Sequence, residues 1–196
     1  MRLLAAMVFV MALAVSAAAQ TSEGLPSLSM KQGTFEFAGW TAGGHTAWGG
    51  TSSGLFEAGG RFGYIITKEH GPGWLRGNLE YVVDVVPVFV LPQPDKTAYG
   101  FGVNPVIFRW NFTKPKRVSP HFEMGAGLLF TNTEIPTGAS DHNYTPQGRI
   151  GVNIFLKEKR AISLDLRFVH ISNASSARFN PGYEILEGGI GFHWYK

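Results

Sequence analysis

Ile162-Ser163-Leu164-Asp165-Leu166-Arg167-Phe168-Val169-His170-Ile171-Ser172 alternates apolar and polar side chains in the manner of a half-buried strand. Alternate residues of a strand share a face, so Ile162, Leu164, Leu166 and Phe168 form one oily side. Ser163, Asp165 and Arg167 point the other way. His170 and Ser172 continue the oily face, with Cα atoms roughly 6 to 7 Å apart. A base and a hydroxyl at the border of an apolar surface point to a substrate that lives in lipid.

The same two-faced pattern recurs along the chain. Glycine is abundant (25 residues), aromatics reach 13 %, and no stretch beyond the N-terminal region keeps a helical repeat, which favours antiparallel β structure. Turn residues divide the chain into eight expected strands, near 34–43, 53–67, 73–91, 97–113, 119–131, 144–157, 160–172 and 185–195. In the second, Phe56, Ala58, Phe62, Tyr64 and Ile66 oppose Glu57 and Arg61. The third sets Leu75, Leu79, Tyr81, Val83, Val85 and Phe89 against Arg76, Asn78, Glu80 and Asp84. Phe122, Met124, Ala126, Leu128 and Phe130 oppose Glu123, Gly125 and Gly127 in the fifth; Ile150, Val152, Ile154 and Leu156 oppose Arg149, Gly151 and Asn153 in the sixth.

Periodicity is the same for a soluble barrel, oily inside, and a membrane barrel, oily outside. Strand length and aromatic placement select the second. Roughly 9 to 11 tilted residues span a bilayer, and Trp48, Trp74, Trp110, Trp194 and Tyr195 near strand ends suit interfacial girdles. The expected fold is all-β: an eight-stranded antiparallel transmembrane β-barrel with a filled polar interior, too narrow for an open pore. Glu57, Arg61, Arg76, Glu80, Asp84, Glu123, Arg149, Asp165 and Arg167 are expected to pair inside it. Asn104-Pro105 marks a bulge in the fourth strand, because proline has no amide hydrogen for the ladder. Pro136 to Pro146, rich in small polar residues, reads as an exposed loop.

Residues 1–19 read as a secretory signal: Arg2, an apolar run from Leu3 to Val15, and Ala17-Ala18-Ala19 before the expected cleavage at Gln20. Residues 20–196 then form a single barrel domain. The chain has no cysteine, hence no disulfide framework. A formal charge of only +3, without a long basic run, argues against nucleic acid as a partner. His45, His70, His121, His142 and His193 show no ligand-like spacing with Asp or Glu, so no metal and no cofactor are assigned.

Ester hydrolysis needs a nucleophile, a base, a group that orients the base, and donors for the oxyanion. Ser172 and His170 supply the first two, and histidine's ordinary pKa near 6.5 suits proton exchange around neutrality. Glu184 follows Pro181-Gly182, where the chain can reverse and return a carboxylate to the far ring nitrogen of His170. Asn173, Asn180 or backbone amides around Ala174 are candidates to hold the geometry or the oxyanion. A His and a Ser two apart on a strand are, by spacing alone, more often ordinary polar residues near its end.

The full pattern is more specific. His170-x-Ser172-Asn173-Ala174, five residues, then Asn180-x-Gly182-x-Glu184 resembles the active-site segment of the lipid A 3-O-deacylase (PagL) family. That resemblance implies an outer-membrane barrel of a Gram-negative bacterium that removes the ester-linked acyl chain at position 3 of lipid A without a metal. It further implies Ser172 as nucleophile, His170 as general base and acid, Glu184 as its partner, and Asn180 and Asn173 beside the oxyanion. The expected partners are lipid A or lipopolysaccharide in the outer leaflet and the surrounding lipid, with a homodimer left open. Two alternatives stand: a noncatalytic structural or adhesive barrel, and a secreted lipid carrier with an apolar cavity.

Overall fold

The computed structural model describes residues 30–48, 53–113 and 117–196, with only the backbone of Trp48. The signal at 1–19 lies outside the described residues. Nine strand segments follow one another: β1 (Phe35–Trp48), β2 (Gly54–Ile65), β3 (Gly77–Pro92), β4 (Thr97–Phe112), β5 (Val118–Thr131), β6 (His142–Tyr144), β7 (Gln147–Lys157), β8 (Arg160–Ile171) and β9 (Tyr183–Tyr195). Each pairs antiparallel with its neighbours, and β1 pairs with β9, which closes the sheet. Closure leaves no edge of unpaired amides and carbonyls, the condition for backbone to cross hydrocarbon. Both β6 and β7 pair with β5, so they are two pieces of one stave parted at Thr145 and Pro146, and the barrel has eight staves.

Burial decides which face is which. Phe37, Phe56, Phe62, Phe101, Phe108, Met124 and Ile150 lie exposed on the outer wall, while Glu36, Arg61, Glu80, Asp84, Arg109 and Glu187 are buried in the lumen. A soluble carrier would show the reverse, so the secreted-carrier alternative falls. The lumen charges pair as the sequence suggested. Arg61 donates to Asp84 at 2.7 and 2.8 Å and to Glu123 at 2.7 Å. Arg109 donates to Glu123 at 2.6 Å and to Glu36 at 2.9 Å. Arg167 bridges Glu57 and Glu187. His121 meets Asp165 at 2.8 Å, and His193 meets Glu36 at 2.6 Å. Water-sized voids of about 10 Å³ open beside Arg167 and Trp40.

Several expectations need correction. Arg76 precedes β3, lies exposed, and pairs with Glu69 at 3.0 Å at the rim, outside the lumen. Tyr195 turns inward and donates to Glu36 at 3.1 Å, so it belongs to no girdle. Phe89 also points inward: the register slips between Val86 and Phe89, where Pro87 cannot donate to the ladder, and the odd residues beyond it change face. The lumen is accordingly polar only in its middle. Leu55, Phe89, Leu91, Leu129, Ile135 and Ile171 plug one end, and Met30, Ile65, Phe155 and Tyr195 the other. The 136–146 loop is shortened by β6, and neighbouring Ile135 is fully buried in the first plug. The Asn104-Pro105 bulge is present on both sides of β4.

Candidate active site

β8 runs outward to Ile171 and β9 returns from Tyr183, so residues 172–182 cross the rim between them. Ile171, Tyr183 and Ile185 turn inward into the apolar plug and anchor both strand ends. The alternate residues His170 and Glu184 therefore turn out, and the register sets them directly opposite one another. Their side chains meet, His170 Nδ1 lying 2.6 Å from Glu184 Oε1, with about a third of each exposed. The His170 amide donates to Pro146 O at 3.0 Å, tying the strand to β7 across the break in that stave.

Ser172 lies two residues beyond His170 on the same outward parity, but it is only 7 % exposed. It exchanges two backbone hydrogen bonds with Tyr144, at 2.7 and 3.1 Å. Directly opposed residues project to one face, so the half-exposed Tyr144 borders Ser172 from the β6 side. Among the described residues no hydrogen bond joins Ser172 Oγ to His170. Catalytic hydrogen bonds are commonly long without substrate and tighten in the complex.

The other expected site residues shape the crossing segment. Asn180 Oδ1 accepts the Asn173 amide at 3.0 Å, and Asn173 Nδ2 donates to Phe179 O at 2.8 Å. Asn173 is fully buried and closes a turn by accepting the Ser176 amide at 2.9 Å. Both asparagines thus serve the backbone here, in place of direct donation toward Ser172. Ala174 (φ 50°) and Ser175 (φ 64°) are held in the left-handed region just past the nucleophile candidate. Non-glycine residues pay roughly 1 to 2 kcal/mol each for that conformation.

Two contributors escaped the sequence reading, Tyr144 and Ser175, while Gly182 enters it only as part of the turn that returns Glu184. Tyr144 reaches Ser172 through a bridge that the stave break creates, for which the chain carries no local signal. Gly182, in the Pro-Gly turn, has φ 66°, and a Cβ there would stand 3.0 Å from His170 Cε1. Ser175 occupies a left-handed position where its residue type suggests none. Nearby, Asp141 and His142 form an exposed pair at 2.5 Å, and the hydrogen bond from His142 holds the Asp141 carboxyl below its usual range. Below His170 on the outer wall, Phe168 faces Gly148 of β7 and Leu186 of β9, and Leu166 faces Gly188, itself opposite Gly43. The outer wall below the site thus alternates large apolar side chains with glycines that carry none.

A family model described as lipid A 3-O-deacylase (PagL) matches residues 35–193. Among solved structures, that of the outer membrane enzyme PagL aligns with a TM-score of 0.59 at 17% identity, covering 80% of this chain and 98% of that one. The outer membrane protein OprG from Pseudomonas aeruginosa aligns at 0.56 and 12% identity, covering 85% and 97%. The N-terminal β-barrel domain of Pseudomonas aeruginosa OprF aligns at 0.53 and 14% identity, covering 83% and 98%. At such identities the solved structures speak to fold alone. No curated protein sequence matches the chain.

Proposed function

The chain belongs to the lipid A 3-O-deacylase (PagL) family of the Gram-negative outer membrane, and from that premise we propose that it hydrolyses the 3-position acyl ester of lipid A with Ser172, His170 and Glu184. The observation that carries this reading is the 2.6 Å contact between His170 and Glu184 on the lipid-facing side of the barrel, with Ser172 next on the same face.

Lipid A reaches the wall by lateral diffusion, its acyl chain along the outer face past Phe168, Leu186 and Gly188, and its sugar at the rim. Glu184 fixes the imidazole through Nδ1, which leaves Nε2 to take the Ser172 proton once the hydroxyl rotates toward it. Ser172 Oγ adds to the ester carbonyl, and the amides beyond Asn173, twisted by Ala174 and Ser175, receive the developing negative charge. Collapse releases the 3-hydroxyl sugar, protonated by His170, and leaves an acyl-enzyme. Water activated by the same imidazole then frees the fatty acid.

Mass spectrometry of lipid A from cells expressing the parent or Ser172→Ala tests the scheme. The parent is expected to remove one acyl chain, and Ser172→Ala, inserted to the same level, none. Deacylation by a properly inserted Ser172→Ala protein would exclude this mechanism. An unchanged lipid A mass with the folded parent would favour a noncatalytic barrel.

A further inference from the structure

The two rims of the barrel differ sharply in charge. At the site end the connections carry Asp95, Glu134 and Asp141, with Glu184 below, against Lys96 and Arg178. The opposite end is basic. Its β7–β8 turn holds Lys157, Lys159 and Arg160 with one acid, Glu158, and all four are exposed. The connection from β2 to β3 adds Lys68, while Arg76 there is matched by Glu69. Lys31 and Lys196 flank the barrel ends of β1 and β9.

Beside these cations lies an aromatic band. Trp74 and Trp194 are 72% and 45% exposed, Phe35 is exposed, and Trp110 packs edge-on against His70 at 4.8 Å. Arg160 is the direct cross-strand partner of Trp194 on the outer face. Tryptophan settles at headgroup depth, and long basic side chains beside it extend into the phosphate layer. Cations displaced outward from an aromatic belt meet lipid phosphate first.

We propose that this end of the barrel docks on anionic glycerophospholipid headgroups, with Lys157, Lys159 and Arg160 beside Trp194 as its principal contact. In the orientation that sets the candidate active site at the outer leaflet, the basic rim lies in the periplasmic leaflet. That orientation rests on the deacylase reading, whereas the headgroup preference rests on the rim alone. Headgroup contact at this rim then helps to set the depth of the barrel in the membrane.

Tryptophan quenching by brominated lipid tests this in a Trp48→Phe background, where Trp74, Trp110 and Trp194 sit at the basic end and Trp40 stays in the lumen. The folded barrel is placed in bilayers mixing phosphatidylglycerol and phosphatidylcholine, with one or the other brominated. Quenching is expected to report roughly fivefold or greater preference for phosphatidylglycerol at low salt, the ratio one basic side chain near a surface supports. The preference should vanish at about 1 M salt, where the Debye length is about 3 Å. It should also drop in Lys157→Gln/Lys159→Gln/Arg160→Gln. Equal quenching by both lipids in the parent overturns the proposal and leaves the rim to a soluble acidic partner, as does a preference that survives both salt and the triple substitution. The salt series on the parent decides the matter even if the triple variant folds poorly, and neither arm depends on ester hydrolysis.

Discussion

Gly182 is the residue near the site with the least room to change. Its left-handed φ of 66° and its approach to the His170 ring make two separate demands, and alanine violates both. A Cβ at 3.0 Å from Cε1 must push the imidazole, and the ring can yield only by turning on its Glu184 contact. Gly182→Ala is expected to cut kcat/KM by on the order of 10- to 100-fold, since small misplacements of a catalytic group are costly. The barrel should still fold, because the substitution lies outside the strands. Heat-modifiable migration on a gel reports folding, and lipid A turnover reports the site. A folded Gly182→Ala protein with parental turnover would show that the glycine does not position the ring.

At the scale of an element, the 172–182 connection behaves as a braced arch. Its braces are the Asn173 amide on Asn180 Oδ1 and the Asn173 side chain on Phe179 O. Only an acceptor is required of Asn180 in this arrangement. Asn180→Asp keeps that acceptor and should retain most of the activity, whereas Asn180→Ala should lose at least about tenfold, a hydrogen bond to a buried amide being worth about 1 to 3 kcal/mol when removed. If the Asn180 amide instead donated to the oxyanion, both variants would fail alike. Steady-state rates on purified lipid A separate the cases. The neighbouring 132–141 connection shows the pH dependence of a depressed carboxylate. The Asp141–His142 contact favours the charged acid, so its ordering effect is present above the unfolded carboxyl range and lost as pH falls through the lowered value. The histidine resonances of this exposed loop are expected to sharpen in acid, and an unchanged linewidth would count against that coupling.

For the molecule as a whole, the lumen charges bind neighbouring staves and also staves that share no ladder, such as β4 with β1 and β2 with β5. Arg109 of β4 reaches Glu36 of β1 and Glu123 of β5, and Arg61 of β2 reaches Asp84 of β3 and Glu123. Removing one partner from such a set strands the others in a low dielectric, at a cost of about 3 to 5 kcal/mol. Arg109→Met is therefore expected to lower the urea midpoint of the folded band in lipid vesicles. Turnover per folded molecule should hold, because the site stands on the outer wall beyond the apolar plug. A midpoint equal to the parent's would mean that the network contributes little to barrel stability.

Much of this was legible in the chain because a strand has a period of two and a membrane barrel has two unlike surroundings. The alternation of Phe122-Glu123-Met124 and Leu166-Arg167-Phe168 already separates lumen from lipid. The spacing from His170 to Glu184 gives the candidate pair, since a hairpin returns its partner to the same level. Tertiary structure alone decided the rest. The change of face at Phe89 comes from a register slip between β3 and β4. The approach of Tyr144 to Ser172 comes from the break at Pro146, and the service of Asn180 to the Asn173 amide from how the arch closes. Local periodicity assigns a residue to a face, but contacts between segments distant in sequence depend on register, bulges and closure. Those are settled only when every backbone amide in the barrel has found its partner.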